Sequence, residues 1–149
     1  MIQTEFGRWT LQLDVESTRN AYSVLDVGSP EACGCYPCLN FAANREFNFP
    51  SAIRSFLDTA GIAIDREAEI QRYCHLESGL HSYGGWFHFF GAILSGGDAY
   101  VAINDQTGTH DLYDFGSGAL AGPTAKTAHA HPTFGDSHLL QLEFAVEIP

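Results

Sequence analysis

Strict alternation of apolar and polar residues marks two stretches of the chain, one near each end. In residues 9–16 every second side chain is apolar, and residues 138–149 repeat this period at positions 140 to 148. A period of two sends alternate side chains to opposite faces of a strand, so both stretches predict half-buried strands. A second short strand is expected at residues 22–27, after a polar turn at 17–20. The two end strands are candidate neighbours in one sheet.

The middle of the chain changes to a helical period. Residues 38–47 contain no Gly or Pro and can continue a helix begun at Pro37. Another helix is expected after Pro50, ending at Gly61, because four apolar residues form one stripe at helical spacing: Ile53, Phe56, Leu57 and Ala60. Asp65 can cap a third helix over residues 66–75.

Strand signals return in the second half. Residues 81–94 are aromatic and glycine-rich, residues 99–105 and 110–115 form short strand candidates, and residues 116–123 are typical of a loop. Helices that cluster between early and late strands favour an α+β fold over a parallel βαβ repeat. We therefore predict one domain over residues 1–149, with two or three helices inserted after the first strands. These helices should pack on one face of a mostly antiparallel sheet.

The charge balance narrows the classes of partner. The formal net charge is −11, with 18 acidic residues against 7 lysines and arginines. Too few basic residues are present to neutralise phosphates, so neither nucleic acid nor an anionic membrane surface is an expected partner. Charged residues make up only 17%, which favours an uncharged polar surface or the interface of a homodimer. The first residues show no signal-peptide pattern, so we expect a cytoplasmic protein with reduced thiols.

Three of the four cysteines stand within six residues, in the stretch ACGCYPCLNF. Thiolates are soft ligands, and Cys33, Cys35 and Cys38 can surround one zinc ion with little loop entropy to lose. A tetrahedral site needs a fourth donor, for which Cys74 and His88 are the candidates, with His75 beside them. The main hypothesis is therefore a structural zinc site. The simplest alternative is that the thiols act as small apolar residues without chemistry.

The same stretch also supports a redox hypothesis. Cys35 and Cys38 form a C-x-x-C pair at an expected helix start, where backbone N–H groups stabilise a thiolate. The pair resembles the C-x-P-C motif of the thioredoxin family at Cys35, Pro37 and Cys38, and Pro132-Thr133 is similar to that family's cis-proline loop. The resemblance implies a thiol–disulfide oxidoreductase in which Cys35 attacks and Cys38 resolves.

The aromatic stretch GGWFHFFG holds a second candidate site. As a strand it would place Trp86, His88 and Phe90 on one face, with Phe87 and Phe89 on the other, which is typical of a central strand covered on both sides. His88 is then expected to be buried, neutral and hydrogen-bonded. Trp86 and His88 could instead line a pocket for a small ligand or partner. Together, CGCYPCLNF and GGWFHFFG resemble an uncharacterised bacterial domain family of small cytosolic proteins, and this resemblance implies no activity.

A histidine-rich segment lies before the last strand. His129 and His131 would point to one side of a strand, and Asp136 and His138 follow. This is loosely similar to the cupin family's H-x-H with a later acid and histidine, and the resemblance implies a metal site. The other interpretation is a set of exposed histidines in a polar connection.

Overall fold

A long antiparallel sheet organises the chain in the computed structural model, which describes residues 1–135 and 137–149. Its order is β1-β2-β4-β9-β8-β7, with β3 also paired to β4, while β5 and β6 form a separate hairpin. The strands are β1 (Ile2–Phe6), β2 (Trp9–Leu13), β3 (Glu69–His75), β4 (His81–Ser95), β5 (Tyr100–Ala102), β6 (Gly108–His110), β7 (Tyr113–Asp114), β8 (Leu120–Thr124) and β9 (Leu139–Ile148).

The helices follow the first two strands, which confirms the predicted α+β fold. They are α1 (Val15–Tyr22), α2 (Ser29–Cys33), α3 (Tyr36–Ala43), α4 (Arg45–Asn48) and α5 (Ser51–Ala60), and a short 3₁₀ helix spans Pro132–Phe134. The main core lies between the helical segment and one sheet face, where aromatic rings meet in the pairs Phe49–Phe87, Phe56–Phe89 and Phe41–Phe144. Within the described residues no helix is both long and apolar enough to cross a lipid bilayer.

Strand β4 runs through the centre of this sheet and positions both candidate sites. One edge of β4 pairs with β9. The other edge pairs with β3 in the half that begins at His81 and with β2 in the half that ends at Ser95. Gly85 and Gly91 let these neighbours approach, because a Cβ atom at either glycine would collide with a backbone oxygen, of Glu69 or Gln12 respectively. The glycines in this stretch therefore serve close strand contact.

On the edge of β4 that β2 and β3 share, a short part between these two strands has no strand partner. The Tyr22 hydroxyl fills this gap, donating to the His88 carbonyl at 2.7 Å and accepting from the His88 N–H at 3.2 Å. Thr18 Oγ1 accepts from the Phe90 N–H at 3.0 Å in the same way. Helix α1 therefore completes the sheet with its side-chain hydroxyls.

Three predictions of local structure are wrong. Residues 17–22 form part of α1 and not a turn and strand, because the Asp14 carboxylate accepts from the Ser17 N–H at 3.1 Å and caps a helix there. The helix predicted at 66–75 is strand β3, since pairing with β4 overrides local helix preference. Part of the predicted loop at 116–123 belongs to β8. The end strands β1 and β9 are not neighbours, because β2 and β4 lie between them.

Candidate functional site

Two helix ends meet at the cysteine stretch. Helix α2 ends at Cys33, and Gly34 follows in the left-handed conformation, with φ of 69° and its N–H donating to the Pro30 carbonyl. The chain turns there, so that Cys35 becomes the residue that precedes α3, and Cys38 lies in the first turn of that helix. A left-handed glycine between two short helices thus folds the three cysteine side chains back towards one another.

The sulfur atoms of Cys33, Cys35 and Cys38 all lie within 4.8 Å of one another. Cys33 and Cys35 are exposed, Cys38 is 7% exposed, and none is in a disulfide. Zinc bound by thiolates at about 2.3 Å holds its sulfurs about 3.8 Å apart. The observed grouping is therefore compatible with a shared metal ion after a small inward adjustment of the side chains.

Cys35 and Cys38 differ in acidity. The backbone N–H of Cys38 in the first turn of α3, together with the neighbouring thiols, lowers the pKa of the Cys35 thiol. Burial, together with hydrogen bonds to the other two thiols, raises the pKa of Cys38 to about 12. In the absence of a metal ion, Cys35 is the most acidic member of this pair and Cys38 keeps its proton.

The sheet holds the start of α3 in place through two hydrogen bonds. The Tyr83 hydroxyl of β4 donates to the Pro37 carbonyl at 2.9 Å. The Asn40 side chain donates to the Pro149 carbonyl at 2.9 Å. Cys38 lies between these two anchored positions, so its sulfur has a stable place against the core.

Helix α2 is held by Arg45, which bridges two carboxylates. The Arg45 guanidinium contacts Glu31 of α2 through two bonds of 2.7 Å and Glu67 through bonds of 2.8 and 3.0 Å. The Glu67 side chain is fully buried, and its burial raises the pKa of that carboxyl. Bonds from Arg45 lower the pKa of Glu31. This ion-pair cluster fixes the helix that ends at Cys33.

The predicted fourth ligands lie outside the sulfur group. Within the part of the chain that the structure describes, neither Cys74 nor His88 comes within 4.8 Å of all three sulfurs. Cys74 is exposed on β3, and His75 next to it stacks on His81 with ring centroids 4.5 Å apart. His88 is fully buried in β4. Among the described residues, three thiols therefore converge without either of the predicted fourth ligands.

His88 is buried as the sequence predicts. Its Nε2 lies 3.1 Å from Gln141 Oε1, and Gln141 in turn contacts Glu143 at 3.1 Å. Burial lowers the pKa of the His88 imidazole, so the ring is neutral near pH 7. Trp86 lies on the same face of β4 and donates from its indole N–H to the Ala128 carbonyl. Both residues face the second, smaller layer formed by residues 125–135.

The cupin-like ligand set does not assemble among the described residues. His129 has a left-handed backbone, with φ of 52°, and stacks on Trp86 in place of the expected strand position. His131 Nδ1 accepts from the Thr133 N–H, and Pro132 begins the 3₁₀ helix and not a strand. His138 lies beside Gly91, whose N–H donates to its carbonyl. Asp136 lies outside the described residues.

Sequence reasoning missed Tyr22, Arg45 and Gln141, which position these sites. Gln141 was placed correctly on the polar face of β9, but its 2% exposure shows that this face is covered. No signal in the sequence pointed to its contact with His88, because the register of β4 and β9 brings the two together. Tyr22 and Arg45 act through contacts 66 and 22 residues away in the sequence, and their residue types alone carry no such signal.

The resemblance to an uncharacterised bacterial domain family stays a prediction, as do the cytoplasmic location and the homodimer. A search of protein-family models, of curated proteins and of solved structures found no match to this chain.

Proposed function

We propose that Cys33, Cys35 and Cys38 bind one zinc ion, which joins the end of α2 to the start of α3. The observation that supports this is the convergence of three sulfur atoms within 4.8 Å from two separate helix ends. Three soft donors on a short turn favour zinc or another thiophilic ion over the hard cations, which prefer oxygen. The ion is then a structural crosslink of residues 33–38.

The fourth position on this ion is taken by a donor from outside the chain, such as water or a small thiol. Cys33 and Cys35 are exposed, so such a donor reaches the ion from solvent. A closed structural zinc site has four protein ligands, whereas three protein ligands leave a position open. The proposed ion is therefore more exchangeable than one in a closed four-cysteine site.

Reconstitution with zinc tests this function. Metal-stripped protein is given zinc, passed through a desalting column and analysed for metal, and we expect about one zinc per chain. Cys38→Ser should lose the ion, whereas Cys74→Ser should keep it. Cobalt in place of zinc should show a thiolate charge-transfer band that Cys38→Ser removes. Stripped protein that takes up no zinc, or equal uptake by both variants, contradicts the proposal.

A second candidate function is thiol–disulfide exchange, and the asymmetry of Cys35 and Cys38 favours it. Cys35 is exposed and precedes the helix, while Cys38 is buried within it and lies within 4.8 Å of the Cys35 sulfur. An accessible attacking thiol with a protected resolving thiol is the arrangement that this reaction requires.

The exchange runs in two steps. The Cys35 thiolate attacks a disulfide of a small-molecule or protein substrate, forming a mixed disulfide and releasing one substrate thiolate. Cys38 then loses its proton and attacks the Cys35 sulfur, which releases the second substrate thiol and leaves a Cys35–Cys38 disulfide. Two electrons pass from the protein thiols to the substrate disulfide.

Glutathione disulfide is the probe for this second function. Mass spectrometry of the treated, metal-free protein should show a Cys35–Cys38 disulfide, and Cys38→Ser should accumulate glutathione on Cys35. Cys74→Ser serves as the matched control and should behave as the unmodified chain. A product that joins Cys33 to another chain, or no oxidation, contradicts it. Zinc-loaded protein should oxidise more slowly, because a bound thiolate is a weaker nucleophile.

A further inference from the structure

A cavity lies on the sheet face opposite the main core. It has a volume of about 240 Å³ and lies between the end of α1, helix α2, strand β4 and the segment 129–134. Its walls are partly apolar, with Tyr22, Leu25 and Phe134, and three imidazoles also line it, those of His88, His129 and His131. This cavity is separate from the three sulfur atoms.

The tautomer of His88 follows from its neighbours. The Ala128 N–H can only donate, and it lies 2.8 Å from Gln141 Oε1, so this oxygen is the acceptor end of the amide. Gln141 Nε2 correspondingly points at Glu143 Oε1. His88 Nε2 therefore carries the hydrogen that it donates to Gln141 Oε1 at 3.1 Å. In a neutral ring the other nitrogen, Nδ1, is then a bare acceptor.

His88 itself lines the cavity, and Nδ1 is the ring nitrogen that is not bonded to β9. The two nitrogens of an imidazole point away from each other, and Nε2 points towards β9. Nδ1 is therefore directed away from β9, on the side of β4 where the Tyr22 hydroxyl bonds the His88 backbone and where Tyr22 and Ala68 also line the cavity. The His88 side chain is 0% exposed, and Nδ1 has no hydrogen-bond partner among the described residues. A buried acceptor of this kind is costly unless a donor reaches it.

The chemistry of His131 argues against a metal ion as the occupant. Its Nδ1 accepts from the Thr133 N–H at 3.1 Å, so in the neutral ring its Nε2 carries the hydrogen. Such a nitrogen donates a hydrogen bond and has no lone pair for a metal. His129 is held against Trp86, with ring centroids 6.3 Å apart. The cavity thus combines an acceptor, His88 Nδ1, with a donor, His131 Nε2.

We propose that this cavity binds a small nitrogen heterocycle, whose ring N–H donates to His88 Nδ1. The aromatic walls contact the ring faces, and an acceptor atom of the ligand receives the His131 hydrogen bond. The volume is below the roughly 300–1,000 Å³ of sites for drug-sized molecules, so the ligand is a single ring or a short derivative of one. This site is independent of the proposed zinc ion. It extends the hypothesis of a small-ligand pocket at Trp86 and His88 by naming the chemical class of the ligand.

Pyrazole and 1-methylpyrazole form a matched pair of probes. They have nearly the same shape, but only pyrazole has an N–H to donate. Titration into ¹⁵N-labelled protein should shift the His88 ring-nitrogen signals with pyrazole, saturating at about millimolar concentration. We expect 1-methylpyrazole to bind at least tenfold more weakly, because Nδ1 then stays unpaired. This comparison uses the unmodified chain and does not depend on a variant that folds.

Variants locate the binding. Read at the ring nitrogens of His129 and His131, which line the same cavity, the pyrazole response should be lost in His88→Phe. His75→Phe, which changes an exposed histidine of β3, should leave it unchanged. Equal affinity for the two probes overturns the proposal, as does the absence of a saturable shift at His88. Zinc that shifts the His88, His129 and His131 signals of the Cys33→Ser/Cys38→Ser double variant would also overturn it, since the cavity would then be a metal site.

Discussion

At the residue scale, one tyrosine hydroxyl replaces part of a strand. Tyr22 is buried, and its OH satisfies both the N–H and the carbonyl of His88, where β4 has no strand partner on that side. Burial also raises the pKa of this phenol, so it stays protonated and able to donate. Together with Thr18 Oγ1, this one oxygen atom completes the edge of β4 beside the candidate ligand cavity.

Removing that oxygen should destabilise the fold. Tyr22→Phe leaves two buried backbone groups without partners, and we expect the free energy of unfolding to fall by about 2–4 kcal/mol. Urea denaturation measures this loss. Tyr113→Phe, at an exposed tyrosine, is the control and should change stability by less than about 0.5 kcal/mol. Equal stability of the two variants would show that the hydroxyl does not substitute for a strand.

Glu143 makes stability depend on pH. Burial raises the pKa of this carboxyl to about 7, and His110 Nε2 lies 3.4 Å away, its own pKa lowered by burial. The folded protein holds a proton that the unfolded chain releases near pH 4.5. This contribution to stability is therefore complete below about pH 4.5 and is lost as the pH rises through about 7.

Glu143→Gln should remove that dependence. Between pH 4.5 and 7.5 the free energy of unfolding of the unmodified chain should fall by about 1–2 kcal/mol, while that of the variant should not. This value is reduced from the full pKa shift because solvent reaches part of the carboxyl. Thermal unfolding across this range provides the measurement. Glu147→Gln, at an exposed position of β9, is the matched control. Parallel profiles for Glu143→Gln and the unmodified chain would refute the assignment.

At the element scale, α2 is too short to be stable alone. It has five residues and no side-chain cap, and it is held by the Arg45 bridge between Glu31 and the buried Glu67. The Ser29 N–H also donates to the Glu67 carbonyl at 2.9 Å. The position of Cys33 at the end of this helix therefore depends on a charge cluster more than on helix propensity.

Arg45→Leu should disturb both stability and the thiols. It leaves the Glu67 carboxylate buried without its cation, which we expect to cost about 3 kcal/mol. Zinc affinity should fall with it, because α2 no longer holds Cys33 towards Cys35. Adding Glu67→Gln should recover part of the stability, whereas Arg54→Leu, on the exposed side of α5, is the control. Zinc affinity and the free energy of unfolding are measured on the same samples. If Arg45→Leu changes neither, the proposed role of the Arg45 bridge is contradicted.

At the scale of the whole molecule, metal binding and folding are linked. A ligand that binds only the folded state stabilises it by about 2.7 kcal/mol at a hundred times its Kd. For a chain of 149 residues this raises Tm by roughly 5–10 °C. We expect zinc to produce such a shift and a chelator to reverse it, while the Cys33→Ser/Cys38→Ser double variant shows none. Binding should weaken at lower pH, because the thiols must lose their protons.

The elements that the sequence predicted correctly are those whose pattern lies within a short stretch of the chain. The stripe of apolar residues in α5 and its end at Gly61, with φ of 80°, followed from helical geometry. Strand β9 followed from alternation. Strand β3 did not, because residues 69–75 become a strand only through pairing with β4. The grouping of three thiols was predictable, since they lie within six residues of the sequence, but the absence of Cys74 and His88 from this group was not.

By itself the sequence determined the α+β class, the burial of His88 and the nearness of three thiols, because each depends on period, composition or short spacing. Only the tertiary structure decided which groups share a site. It separated Cys74 and His88 from the sulfurs, joined Arg45 to two distant carboxylates, and set Gln141 against one ring nitrogen of His88. These outcomes depend on strand register and on contacts across many residues, which local patterns do not encode.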